Sequence, residues 1–143
     1  MTLFPQERTR LNDHLSYELI ENNAIVEFEV SRTDDDTINL WGDKFCETME
    51  NWPADKPYLS LHNFLAMPGF MTTPLIRHRS REATRVRADL DTRTAILMSN
   101  RTAANIINIL VRALPGQRYK KRERKVFLDR HEAIAWLLEW NQT

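Results

Sequence analysis

Catalysis needs several reactive side chains brought together, and this sequence groups few of them by spacing. The four histidines, His14, His62, His78 and His131, lie far apart. They show neither H-x-x-H nor H-E-x-x-H spacing, so no histidine-based metal site is expected. The single cysteine, Cys46, can form neither an internal disulfide nor a cysteine-rich zinc site. It stands beside the apolar stripe of a helical segment with no base spaced next to it, which reads as a structural thiol. Asp34-Asp35-Asp36 is too short for a calcium loop and reads as a helix start. Glu27 and Glu29 alternate along one strand. They could be paired carboxylates, but they read as a solvated sheet face or edge protection. The three glycines, at 42, 69 and 116, build no phosphate-cradling loop. The residues therefore predict no catalytic centre, no metal and no cofactor.

What the sequence offers instead suits binding. Thr72 and Thr73 precede Pro74, and Thr73 is read either as a helix N-cap or as a phosphoacceptor whose phosphate would sit on free N–H groups near arginines. Arg77, Arg79 and Arg81 are candidates for anion or partner contacts, with a solvated helix face as the plainer reading. The run Arg118–Lys125, with Arg118, Lys120 and Lys121, is a second candidate, read as a loop entering the last strand. Met67, Phe70 and Met71 are candidates to line a ligand pocket. Aromatic residues are not interleaved with the arginines of the first run, and Lys/Arg and Asp/Glu are equal at 20 each, which argues against nucleic acid. The charges are unevenly spread. Residues 1–70 hold 5 Lys/Arg against 13 Asp/Glu, and residues 71–143 hold 15 against 7. Either the halves interleave and neutralise locally, or an acidic and a basic face support self-association or an anionic partner.

These residues must be positioned by elements that periodicity reveals. His14–Ile20 and Ala24–Val30 read as two strands of an antiparallel edge hairpin, turning at Glu21-Asn22-Asn23 because asparagine tolerates left-handed angles. A helix follows from Asp34–Thr37 to Pro53, with Ile38, Trp41, Phe45, Met49 and Trp52 as one stripe and Gly42 as an interruption. Tyr58–Phe64 reads as a strand, and residues 73–88 as a helix with Pro74 at its first position. Thr94–Ser99 reads as a strand buried on both faces. Thr102–Leu114 reads as a helix with Ile106, Ile107, Leu110 and Leu114 toward the core. Val126–Leu128 is a last strand. A final helix is capped by Asp129 and Glu132, with Ala133, Ala135, Trp136, Leu137 and Trp140 at its apolar positions. Trp140 is also a candidate anchor for a dimer or ligand. Strict alternation after the hairpin predicts an α/β fold, a mainly parallel sheet with an N-terminal antiparallel hairpin, flanked by about four helices. Residues 1–13 read as an N-terminal extension and 14–143 as the domain.

This order resembles the STAS fold family, typified by anti-sigma-factor antagonists, and its SpoIIAA-like relatives. The resemblance rests on the β-β-α start, on the junction Leu61–Leu75, and on the ending Lys125–Leu137 with its E-A-I-A-W-L. It implies a non-enzymatic regulatory or protein-interaction domain that uses the junction at residues 66–76 and the basic helix. The alternative is a carrier or sensor of a small apolar or anionic, lipid-like ligand. In antagonist members a phosphoserine lies where Thr73 falls, but Met71 and Pro74 replace the flanking aspartate and glycine. The expected partner is another protein or a second copy of the chain. With no signal-peptide core at the N-terminus and no apolar run of membrane-span length, the cytoplasm is the expected location.

Overall fold

Strand and helix periods resolve into a six-stranded mixed sheet in the order β1-β2-β3-β4-β5-β6, so neighbours in space are neighbours in sequence. The computed structural model describes residues 7–70, 72–112 and 122–142, with side chains omitted for 109–112, 141 and 142. The strands are β1 (Thr9–Asn12), β2 (Leu15–Ile20), β3 (Ile25–Val30), β4 (Tyr58–Asn63), β5 (Thr92–Leu97) and β6 (Arg122–Phe127). The helices are α1 (Asp35–Glu50), α2 (Pro74–Ala83), α3 (Arg101–Arg112) and α4 (Arg130–Leu138), and a 3-10 turn follows at Glu139–Gln142. β1 through β3 pair antiparallel, and β3 through β6 pair parallel. The chain is thus α/β, as its alternation predicts. Among the described residues no helix is long and apolar enough to cross a membrane.

Sequential order decides where the helices go. Parallel strands are joined by right-handed crossovers almost without exception. Three such crossovers, each stepping one strand in the same direction, put α1, α2 and α3 on the same side. Burial agrees. Val26, Phe28, Tyr58, Met98 and Val126 share one apolar cluster with residues of α1, α2 and α3. Ile25, Leu59, Leu61, Ala95, Leu97 and Phe127 share the other with α4. Among the described residues one face carries three helices, and the opposite face carries the nine-residue α4.

Several boundaries differ from those expected. Thr9–Asn12 is not an extension but a strand paired with β2, so the β2–β3 hairpin lies inside the edge. That strand is four residues long and has a register break, too short for periodicity to reveal. Nor is Glu27 solvated: it is 1% exposed. Arg130 reaches it from α4 with bonds of 2.7 and 3.1 Å, and Asn63 Nδ2 donates at 3.1 Å. Those donors outweigh desolvation and hold its carboxyl below the ordinary glutamate value. Glu21, Asn22 and Asn23 all take positive φ, as the turn requires. In α3 it is Ile107 that is buried, while Ile106 is 46% exposed. Leu110 and Leu114 lie outside the residues whose side chains are described. In α4 Ile134 takes the inward position expected for Ala135, which is exposed.

Candidate functional site

On the three-helix face, α1, α2 and α3 do not close fully over the sheet. They leave an open cavity of about 130 Å³. Its walls are apolar: Trp41 and Phe45 from α1, Phe64 and Phe70 from the β4–α2 connection, Ile76 from α2 and Ile107 from α3. Phe64 and Phe70 stack with ring centroids 4.1 Å apart, which fixes the connection against the sheet. The floor comes from alternate residues of the central strands, His62, Thr92, Thr94 and Ile96. Arg77 and Arg81 of α2 line it as exposed residues, and Arg122 and Arg124 line it from β6. No Asp or Glu lines it.

Register explains the polar floor. Thr92 pairs with Arg122 and Thr94 with Arg124 along β5 and β6, while Ser60 of β4 pairs with Thr94. Period-two alternation sends these side chains to the helix-bearing face, and their neighbours Arg93 and Glu123 to the other. Beneath the walls, Trp41 Nε1 donates to His62 Nδ1 at 3.0 Å, and His62 Nε2 lies 3.0 Å from Ser60 Oγ. Burial alone pushes the His62 pKa down to about 3, so the imidazole is neutral at ordinary pH. Arg122 is held by a hydrogen bond from Nη2 to the Arg87 carbonyl. Arg124 is half-buried, and desolvation together with the Arg122 charge lowers its pKa.

The sequence candidates separate on this geometry. Phe70 and Thr72 line the cavity with Arg77 and Arg81. Met67 packs against the core without lining the cavity. Thr73 is an N-cap: its hydroxyl oxygen accepts from the Ile76 N–H at 3.2 Å. Arg79 is committed internally, with Nη2 donating to Asp43 at 2.5 Å and Nη1 to Asn39 at 3.0 Å. Met71, Arg118, Lys120 and Lys121 lie outside the described residues. Trp140 is half-buried with the Arg93 guanidinium 5.4 Å from its ring centre. Arg122 and Arg124 belong to the candidate run Arg118–Lys125, which reads as a loop but from Arg122 is strand; Thr92 and Thr94 are not among the candidates. The signal was present in the alternation T-R-T and R-E-R-K-V, but the last strand was expected to begin at Val126 rather than Arg122. Among the described residues no group of three or more His, Cys, Asp or Glu could hold a metal ion. Comparison with known proteins finds no matching family model, no matching curated protein and no matching solved structure.

Proposed function

We propose that this domain is a non-enzymatic carrier or sensor of a small molecule, held between the central strands and the three-helix layer. The supporting observation is the cavity itself: aromatic walls, a hydroxyl-bearing floor, and arginines without a carboxylate among its lining residues. A well-formed apolar pocket with a few convergent polar groups is the usual form of a ligand site. Native mass spectrometry of protein purified without denaturation, paired with a thermal-shift screen, tests this. Retained small molecules, or compounds that raise the melting temperature, support the reading. Ser80→Phe, which adds a ring to the cavity wall on α2, is expected to abolish both signals while the protein still melts cooperatively. If neither signal is found for the native protein, the reading fails.

A second reading follows from the STAS resemblance: a regulatory module that docks a partner protein through the junction at 66–76 and α2. The exposed guanidinium groups of Arg77 and Arg81 beside Thr73 favour it. A stable, ligand-free protein complex in a pull-down, lost when both arginines are replaced by glutamate, would favour this reading over the first.

A further inference from the structure

We infer that the cavity takes a small monocarboxylate with a compact apolar body, its carboxylate held by the Arg124 guanidinium and the Thr94 hydroxyl. This inference rests on the ligand-binding reading above and narrows it to one chemical class.

The direction of the hydrogen bonds begins the argument. An indole N–H only donates, so His62 Nδ1 must accept from Trp41. The neutral ring then carries its proton on Nε2, so Ser60 Oγ accepts from it. The serine's own hydrogen is left to point toward Thr94 Oγ1, 3.5 Å away. The Thr94 hydrogen is therefore directed elsewhere, and its in-register neighbour Arg124 has no acceptor to offer. Thr94 and Arg124, partners across β5 and β6, thus both present donors to the cavity they line.

The charge count reaches the same place. Among the described residues Arg124 makes no hydrogen bond or ion pair, and the charge acting on it is that of another arginine. Every Asp and Glu in the chain belongs to the described residues. A half-buried cation without a counter-charge bears part of its desolvation cost, and an incoming anion relieves it. Size and shape select the anion. About 130 Å³ is close to the engineered cavity of roughly 150 Å³ that admits benzene, so a ring or short branched chain fits within it. A planar guanidinium matches a carboxylate in two-point geometry, and the hydroxyl adds a further donor. The exposed Arg77 and Arg81 raise the local anion concentration.

Calorimetric titration of the whole protein with benzoate, benzyl alcohol and inorganic phosphate tests the assignment. Benzoate should bind roughly tenfold or more tightly than benzyl alcohol, and phosphate more weakly than either. Arg124→Met and Thr94→Val should each weaken benzoate by roughly tenfold while leaving benzyl alcohol within about twofold, which also shows the fold intact. Should Arg124→Met fail to fold, Thr94→Val, which conserves volume, decides. Equal binding of benzoate and benzyl alcohol, or no loss in the variants, overturns the carboxylate assignment and leaves the cavity reading standing. Phosphate binding as tight as benzoate overturns the need for an apolar body. Binding of none of the three ends the inference, and if native protein also retains no small molecule the ligand reading ends with it.

Discussion

At the residue scale, two buried groups tie stability to acid. His62 has its pKa lowered to about 3 in the folded chain, against an ordinary value of 6.5. Below pH 6.5 the unfolded chain takes up a proton that the folded chain refuses, so stability falls as pH falls, by roughly 1.4 kcal/mol per unit across that window. Glu27 acts in the same direction at lower pH. Its carboxylate is stabilised when folded, so its contribution is present above its ordinary value of 4.5 and is lost as pH drops below it. Replacing His62 with Leu separates the two. Trp41 Nε1 and Ser60 lose their partner, so stability near neutrality should drop by about 1–3 kcal/mol. The loss between pH 7 and about pH 5 should nearly vanish, leaving the Glu27 contribution below that. Urea unfolding of both proteins across that pH range reads both effects; an unchanged slope would refute the assignment to His62. Neither role was legible beforehand. A lone histidine and an alternating glutamate read as isolated polar groups until a neighbouring strand or helix supplies the partner.

At the element scale, α1 and α2 are joined by polar contacts as well as by the apolar stripe. Arg79 of α2 lies over Gly42 of α1, where a Cβ would come within 2.5 Å of its Nε. Arg87, beyond α2, donates to the carbonyls of Met49, Glu50 and Trp52 at the C-terminal end of α1, a helix with no basic residue in its last turn. Glycine is thus kept inside a helix at a cost of about 1 kcal/mol in propensity because the guanidinium occupies its face. Gly42→Ala alone should therefore give no gain in stability. In an Arg79→Ala background the same change should stabilise by about 1 kcal/mol, and a double-mutant cycle measured by chemical denaturation quantifies the coupling. Additive effects would exclude it. The stripe of α1 was readable from its period, and the caps at Asp34, Thr73 and Asp129 from their positions before helical runs. The start of β6 was not, because a charged run on a terminal strand looks like a loop until register pairs Arg122 with Thr92 and Arg124 with Thr94.

At the scale of the whole molecule, the sequential strand order leaves α4 to cover its face of the sheet with no other helix among the described residues. Arg93 secures it: Nε donates to Glu123 at 2.8 Å, Nη1 to the Trp136 carbonyl at 2.6 Å, and the guanidinium lies 4.7 Å from the Trp136 ring centre. Arg93→Met should cost about 1.5–3 kcal/mol and speed amide exchange in α4 well beyond that in α1. Equal exchange in the two helices would show that apolar contact alone holds α4. The uneven charge of the two sequence halves is partly resolved within the fold, through Arg79 with Asp43 and Arg130 with Glu27. The α/β class and the count of helices could be read from alternation. The cavity could not, since it is set by how far three helices stand from the strands. The outermost strands have a consequence for colloidal behaviour. β1 is four residues long with a register break, while β6 carries Arg122, Glu123, Arg124 and Lys125, and the Val126 N–H is already taken by Asn108. Short, interrupted or heavily charged borders are poor templates for a foreign strand, so concentrated solutions of this protein are protected against fibrillar growth from either flank.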